Sequence, residues 1–184
     1  IWGHGLAAWP SSMHRPSYNI PLIISGCGVS RDETPALVSQ LDLPNTILSF
    51  AGLPLLEGHL TDSQPLDLKD PSSVHRDAIF LEQEETRAIR TDTHLYVERF
   101  DVAGFDGLEP ELYDLVDDPD ERINIVDRPD LADVRASLAA QLHSYFEKVS
   151  TPKRDLWRGG RPKSNISHKA FWQTAWGQDW NCGF

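Results

Sequence analysis

The sequence predicts an α/β fold in which a small antiparallel sheet packs on a C-terminal helix. Three observations support this prediction. The apolar run IPLIIS at 20–25 is typical of a strand that is buried on both faces of a main sheet. Strand-like segments flank the turn Thr91–Asp92–Thr93 and predict a hairpin. Residues 131–149 carry one apolar stripe at helical spacing, which predicts an amphipathic helix.

A first helix is predicted after residue 41. Asp42 is an acidic N-cap candidate, and Pro44 falls in the first turn, where proline is tolerated. Gly52, followed by Pro54, is expected to end the helix. The expected buried face is the apolar one, formed by Ile47, Leu48, Phe50 and Ala51.

The small sheet is predicted from segments that are close in sequence. A strand is expected at 78–82, the hairpin follows it, and a further strand contains Leu112, Tyr113 and Leu115. Because short links join these strands, an antiparallel arrangement is favoured. Tyr113 is expected to pack beneath the last helix.

The last helix is predicted to run from Leu131 to Val149, with Asp130 as its N-cap and Asp133 at the favourable end of the helix dipole. Its apolar stripe should pack on the small sheet. The stripe consists of Leu131, Val134, Leu138, Leu142, Tyr145 and Val149.

Three regions follow from this pattern: residues 1–73 in a main α/β domain, residues 74–150 in a sheet-plus-helix subdomain, and residues 151–184 as a basic tail rich in tryptophan. The tail has six basic and two acidic residues, a net of +4, and the formal charge of the chain is −11, so residues 1–150 carry −15. The tail could close over an apolar face or stack on sugar rings; closing is favoured.

Composition limits the partners and the class of protein. A chain of 184 residues with 40% hydrophobic content can bury a core. Its negative charge argues against non-specific binding to nucleic acid or to an anionic membrane. Two cysteines do not indicate a disulfide framework, although a single bridge between them stays open. The first residues lack an initiator Met and a signal-peptide pattern, so we expect the chain to be part of a longer protein.

Three charged clusters could be functional sites or ordinary protein surface. The acidic turn at 114–120 lacks the central Gly and later Glu of a calcium-binding loop, so a solvated turn capped by its own carboxylates is expected. Adjacent Glu84 and Glu85 would point in opposite directions on a strand, which favours an exposed turn over an acid/base pair. For Arg87 and Arg90, ion pairs with acidic residues are favoured over contacts with an anion.

Five short segments, in order along the chain, resemble the C-terminal portion of sulfatases of the alkaline-phosphatase superfamily. The resemblance covers residue 4 to about residue 149, and it assigns residues 1–73 to the C-terminal part of the main sulfatase domain. The five segments are HGL at 4–6, YNIPLII at 18–24, LDLPNTILSFAGL at 41–53, RAIRTDTHLYVERF at 87–100 and ELYDLVDDPDERINI at 111–125.

The resemblance implies a reaction. In the family, a hydrated formylglycine attacks the sulfur of a sulfate ester, calcium and basic groups hold the oxygens, and an acid protonates the leaving group. The implied substrate is a sulfated small molecule or glycan, and the implied partner of this chain is the upstream half of the sulfatase domain. The CxPxR sequence that provides formylglycine is absent, because Cys27 lies in SGCGVS and Cys182 in NCGF. The calcium ligands are expected upstream of Ile1.

There is one catalytic candidate, and one family residue is lost. His4 could be a substrate-side group near the sulfate pocket, because it precedes the strand whose carboxyl end approaches the site in open α/β sheets, although a histidine in a Gly-flanked loop is more often a turn residue. The family's lysine beside the sulfate falls at Trp9, and no Lys occurs before Lys69. An indole cannot replace the charge-assisted hydrogen bonds of an ammonium group. The family's Tyr-Glu pair falls at His14 and Arg15.

Two alternatives stay open. The ester could be a phosphodiester or a phosphonate, since such enzymes share the scaffold. The chain could also be a non-catalytic binding remnant, which Trp9 supports. In either case a strand of a parallel sheet requires neighbours, so the chain alone should expose apolar surface at Ile20–Ile24 and Ile47–Phe50.

Overall fold

Four strands and one long helix form the centre of the structure, a computed structural model that describes residues 13–26, 28–30, 32–56, 62–70, 75–83, 86–99 and 109–150. None of the helices in this part of the chain is long and apolar enough to cross a membrane. The elements are α1 (Arg15–Tyr18), α2 (Asp42–Phe50), β1 (Ala78–Gln83), β2 (Thr86–Thr91), β3 (His94–Arg99), β4 (Glu111–Asp114), a 3-10 turn (Pro129–Leu131) and α3 (Ala132–Val149).

The strands form one antiparallel sheet in the order β1-β2-β3-β4, as the short links predicted. The hairpin between β2 and β3 turns at the predicted position. Its two-residue loop is stabilised by the Thr91 hydroxyl, which accepts hydrogen bonds from the amides of Thr93 (3.3 Å) and His94 (3.0 Å). The predicted strand at 78–82 is confirmed as β1.

The sheet is buried on both faces, and the alternation along β4 decides which residue meets the helix. Leu112 lies on the face that packs against Leu138 and Leu142 of α3. Tyr113 lies on the opposite face with Leu95 and is therefore not beneath the helix, contrary to the prediction. Successive side chains in a strand point to opposite faces, so only one of two adjacent apolar residues can contact α3.

Helix α3 has the predicted length and apolar stripe, but it begins differently. The 3-10 turn precedes it, Leu131 occupies the N-cap position, and Asp130 does not cap the helix. Instead, the Asp130 carboxylate accepts a hydrogen bond of 3.1 Å from Arg128 Nε. Phe146, which was absent from the predicted stripe, is buried with Leu138 and Leu142, whereas Val149 is exposed at the helix end.

Helix α2 ends as the sequence predicts. Gly52 has a φ of 69°, a conformation that L-residues with a side chain rarely adopt. The Leu53 amide donates to the Leu48 carbonyl (2.9 Å) and the Gly52 amide to the Ser49 carbonyl (3.1 Å). This pair of bonds is the Schellman motif, which satisfies carbonyls that a helix end leaves free.

In this chain the buried face of α2 is polar, and the apolar face that was expected to be buried is largely exposed, as predicted for the chain alone. Asp42, Asn45 and Thr46 are buried, whereas Ile47 and Phe50 are 66% and 52% exposed. The reason is that the buried polar side chains accept hydrogen bonds from three loop segments: the Leu56 amide, the Gln64 and Leu66 amides, and the side chains of His75 and Arg76. Asp42 is also not the N-cap, which is Leu41, and its carboxylate accepts a hydrogen bond of 2.9 Å from the amide of Ser39, ahead of the helix.

The apolar run at 20–25 forms no strand in the described structure, contrary to the prediction. Ile20, Leu22 and Ile23 are exposed, with Ile23 at 90%, and Ile24 is half-buried. A strand of this composition needs partners on both edges, and none of the described strands lies beside it. The predicted apolar surface at Ile20–Ile24 and Ile47–Phe50 is therefore confirmed.

Candidate functional site

The acidic turn after β4 is shaped by its own carboxylates, as predicted. Asp114 Oδ1 accepts hydrogen bonds from two amides of the turn, those of Val116 (2.9 Å) and Asp117 (3.2 Å). Asp118 Oδ2 accepts from the amides of Arg122 (2.7 Å) and Ile123 (2.8 Å). These contacts leave the side chain that lies between them, Glu121, directed into the protein.

Glu121 is a buried acid in an uncommon backbone conformation. It is 1% exposed, and its φ is 57°. The left-handed region costs a residue with a side chain about 1 kcal/mol, so the surrounding contacts must hold it there. Two such contacts are the hydrogen bond of its amide to the Asp118 carbonyl (3.0 Å) and the ion pair of its carboxylate with Arg90 of β2 (3.2 Å).

Three of the four groups that Glu121 contacts lie in one segment about a hundred residues earlier. The Arg15 amide donates to Oε2 (2.7 Å), the Tyr18 hydroxyl donates to Oε1 (3.0 Å), and His14 Nδ1 lies 3.3 Å from Oε2. Arg90 completes the set and also donates to the Tyr18 hydroxyl (2.9 Å). We call these five residues the Glu121 cluster. It fixes the segment around α1 to the small sheet.

The Glu121 cluster keeps its carboxylate charged. Burial alone would raise the pKa of Glu121, but hydrogen bonds from His14, the Arg15 amide and Tyr18 outweigh burial and hold the pKa below its ordinary value. Burial, together with the negative charge of Glu121, raises the pKa of Tyr18, so the phenol stays a donor. Each carboxylate oxygen already has two donors. Glu121 therefore has a structural role and is not placed to act as a base.

His14 lies between two carboxylates. On its other side, Nε2 is 3.8 Å from Glu111 Oε2, and its ring meets the edge of Tyr113 with centroids 5.4 Å apart. The Tyr113 hydroxyl donates to Glu111 (3.0 Å), and Arg99 also pairs with this carboxylate. Burial and then the Glu111 charge raise the pKa of Tyr113. On the far face of the sheet, these polar contacts therefore lie beside the apolar cluster that contains Tyr113 and Leu95.

A second buried acid, Asp42, organises the loops around α2. Its oxygens accept hydrogen bonds from the amide of Gln64 (2.8 Å), from His75 Nε2 (2.9 Å) and from Arg76 Nε (2.9 Å). Arg76 also pairs with Asp62 (3.2 Å). We call Asp42, Asp62, His75 and Arg76 the Asp42 cluster.

The charge of Asp42 is strongly stabilised. The side chain is fully buried, which by itself raises the pKa, but the Arg76 guanidinium and two backbone amides lower the pKa to about 2. Tyr145 of α3 donates to Asp62 (3.2 Å), and burial followed by the Asp62 charge raises the pKa of Tyr145 to about 12. The Asp42 cluster therefore ties α2 to α3.

The described residues do not fit a calcium site. No group of three or more His, Cys, Asp or Glu side chains in this part of the chain could hold a metal ion. The chemistry explains this: the oxygens of Asp42, Asp118 and Glu121 already accept hydrogen bonds from amides and cations, and calcium would need six to eight oxygen ligands. Nor does the chain contain the CxPxR sequence for formylglycine. We therefore derive no chemical step from either group.

Several residues that the sequence highlighted lie outside the described residues. They include the catalytic candidate His4, together with Trp9, Cys27, Glu84, Glu85, Cys182 and the tail at 151–184. The ion pairs predicted for the two arginines are confirmed: Arg87 pairs with Glu82 (2.7 Å) and lies over the Phe146 ring, and Arg90 pairs with Glu121.

Sequence reasoning missed the two buried carboxylates. Nothing in the acidic run that contains Glu121 marks it, because its partners are about a hundred residues away, and Asp42 resembles an ordinary helix cap. The one sequence signal for the Glu121 cluster was that the family's Tyr-Glu pair falls at His14 and Arg15, which lie in the segment that Glu121 contacts.

Comparison with known proteins identifies the protein family to which the chain belongs. Residues 10–148 match the family described as N-sulphoglucosamine sulphohydrolase, C-terminal. Arylsulfatase K of Rattus norvegicus is 29% identical over 194 residues, covering 92% of this chain and 33% of the relative. The sulfatase YidJ of Escherichia coli, which is uncharacterised, is 26% identical over 176 residues, covering 86% and 32%. The chain thus spans about a third of the length of these curated relatives.

Solved structures agree with the fold. A crystal structure described as a sulfatase of Bacteroides thetaiotaomicron superposes with a TM-score of 0.57 at 23% identity, over 73% of this chain and 30% of that one. A 2-O GAG sulfatase gives a TM-score of 0.56 with the same identity and coverage. At this identity the likeness supports the fold alone. Together with the match over 10–148, it places the chain in the sulfatase family, as the C-terminal portion of an alkaline-phosphatase-like fold.

Proposed function

We propose that this chain is the C-terminal part of an enzyme that hydrolyses sulfate esters. The observation that carries the proposal is the family match over residues 10–148, which includes the whole sheet, the Glu121 cluster and all but the last residue of α3. The nucleophile and the calcium ligands expected of the family are assigned to residues that this chain does not contain.

Within that enzyme the chain supplies a scaffold and one side of the substrate cleft. Residues 1–73 belong to the main domain, residues 74–150 form the sheet-plus-helix subdomain, and residues 151–184 form a tail. The Asp42 and Glu121 clusters support this organisation, because each joins the first region to the second by buried hydrogen bonds. His4 is the substrate-side group that we assign to the first region.

The upstream half of the sulfatase domain is the proposed partner of the exposed apolar faces at 20–24 and 47–50. Ile23 is almost fully exposed, and Ile47 and Phe50 of α2 are more than half exposed. Soluble proteins rarely leave large apolar surfaces uncovered. The relatives are about three times as long as this chain, so they contain the additional residues that such a face requires.

The proposed substrate is a sulfated small molecule or a sulfated glycan. The names of the relatives support the class and not the individual compound: one is an arylsulfatase and one structural neighbour is a 2-O GAG sulfatase. Calcium and formylglycine are the cofactors that the family implies for the complete enzyme.

The test is an assay of the complete protein that contains this chain. It should be produced with formylglycine maturation and assayed on 4-nitrocatechol sulfate with calcium, beside a variant in which the cysteine of its CxPxR sequence is alanine. We expect turnover by the first and none by the second. A correctly matured full-length protein that turns over no sulfate ester would contradict the proposal.

A non-catalytic binding function is the second candidate, and one observation favours it. Trp9 occupies the position where the family has a lysine beside the sulfate, and this removes a cation that would stabilise developing charge. Binding of heparin fragments by the complete protein, with no release of inorganic sulfate, would favour this second function over the first.

A further inference from the structure

We infer that Glu121 is a positioning residue for the proposed sulfatase site: it fixes the segment that directly follows the substrate-side residues to the rigid small sheet. This inference rests on the proposed function, because that function assigns His4 and the position of Trp9 to the cleft. Glu121 itself contacts no substrate.

The geometry of the Glu121 cluster supports this role. Of the four groups that the carboxylate contacts, three belong to residues 14–18, and one of them is a backbone amide. A bond to the Arg15 amide fixes the path of the main chain and not only a side chain. The shortest contact of the cluster, 2.7 Å, is this one.

The other side of the cluster is rigid. Arg90 lies on β2, an inner strand paired on both edges, and binds Glu121 and Tyr18 at once. The turn that presents Glu121 is fixed by the Asp114 and Asp118 carboxylates. Groups held by rigid elements and by a second layer of hydrogen bonds define a site more closely than groups on a free loop. Residues 14–18 are therefore fixed to the sheet through Glu121 and Arg90.

The main test compares Glu121→Gln with Asp42→Asn in the complete, matured protein. Asp42 is a matched control, because it is an equally buried carboxylate with several donors, none of which lies in residues 13–18. We expect Glu121→Gln to raise the KM for 4-nitrocatechol sulfate by about tenfold, because misplaced substrate contacts weaken binding. A loss of folded enzyme would lower the maximal rate and leave KM unchanged.

A milder variant covers the case in which Glu121→Gln does not fold. Tyr18→Phe keeps the Glu121 charge and its contacts with His14 and Arg15, and it removes only the hydroxyl that joins Glu121 to Arg90. We expect it to raise KM in the same direction by a smaller factor, roughly twofold to threefold. An unchanged KM in both variants, or an equal rise in Asp42→Asn, would overturn the inference.

Hydrogen exchange gives a readout that does not depend on turnover. In the complete protein, exchange of amides in residues 15–18 should become faster in Glu121→Gln and stay as in the wild type in Asp42→Asn. If the wild type hydrolyses no sulfate ester, the proposed function fails while this comparison still decides whether Glu121 fixes the segment. Equal exchange in the two variants would show that it does not.

Discussion

Replacing Asp42 by Asn should reveal how much stability one buried carboxylate contributes to this fold. Oδ1 accepts from the Gln64 amide and from Arg76, and Oδ2 accepts from the Ser39 amide, His75 and Arg76. Whichever oxygen becomes an amide nitrogen, at least two donors lose their acceptor. Each unsatisfied buried donor costs about 1–3 kcal/mol, so we expect the free energy of unfolding at pH 7 to fall by about 3 kcal/mol.

The same residue predicts a pH dependence. The pKa of Asp42 is lowered to about 2 from an ordinary value of 3.8. A lowered pKa stabilises the folded state above the ordinary value, and this stabilisation is lost as the pH falls from about 4 to about 2. At about 1.4 kcal/mol per pKa unit, the wild type should lose about 2 kcal/mol in that window through Asp42, whereas Asp42→Asn loses nothing there.

Urea denaturation, followed by circular dichroism at 222 nm, measures both effects. The two proteins should be compared at pH 7, 4, 3 and 2, with Asp130→Asn as the control, because Asp130 forms an exposed pair with Arg128 and its loss should not be measurable. The reasoning is refuted if Asp42→Asn costs less than about 1 kcal/mol at pH 7, or if the difference from the wild type does not shrink at low pH.

Three further predictions concern the core, the exposed face and the edge of β4. Leu142→Ala should lower the free energy of unfolding by about 3 kcal/mol, because it leaves a cavity under the sheet. The control Ser137→Ala, at an exposed position of the same helix, should change it by less than about 0.5 kcal/mol. Equal effects of the two substitutions in urea denaturation would argue against the packing described. The double variant Ile23→Ser with Ile47→Ser should reduce self-association of this chain in sedimentation experiments without lowering its melting temperature. Unchanged association would mean that copies of the chain associate through another surface. Asn124→Ala should lower the free energy of unfolding by about 2 kcal/mol, measured by thermal or urea denaturation, since the Asn124 side chain accepts hydrogen bonds from two backbone amides. An unchanged free energy would mean that water replaces the Asn124 side chain as the acceptor.

The local sequence pattern was sufficient to predict the small sheet and α3. The hairpin at Thr91–Asp92–Thr93, the strand at 78–82 and the stripe containing Leu138 and Leu142 all depend on side chains that are close in sequence, and the structure confirms them. The end of α2 was predictable for the same reason, because Gly52 alone supplies the left-handed residue that the Schellman motif needs.

Most of the misses depend on contacts that are distant in sequence; Asp130 is the exception, because it pairs with Arg128, two residues earlier, instead of capping α3. α2 buries Asp42 and exposes Ile47, because the donors for its polar face come from residues 64–76. Because side chains alternate along β4, one of Leu112 and Tyr113 faces α3 and the other faces away from it. The register of β4 with β3 decides which of the two faces α3. Glu121 could not be recognised from an acidic turn, since its partners lie near residue 15. His4, the catalytic candidate, stays a prediction.

The two carboxylate clusters close loops of very different size. The Glu121–Arg15 contact joins residues 106 positions apart, whereas Asp42 and Arg76 are 34 apart. Because the entropy of loop closure grows with the logarithm of length, the longer loop costs only about 1 kcal/mol more than the shorter one, and doubling either would add about 0.6 kcal/mol. Segments between the two ends of the Glu121 contact can therefore gain or lose many residues in evolution while α1 keeps its place on the sheet.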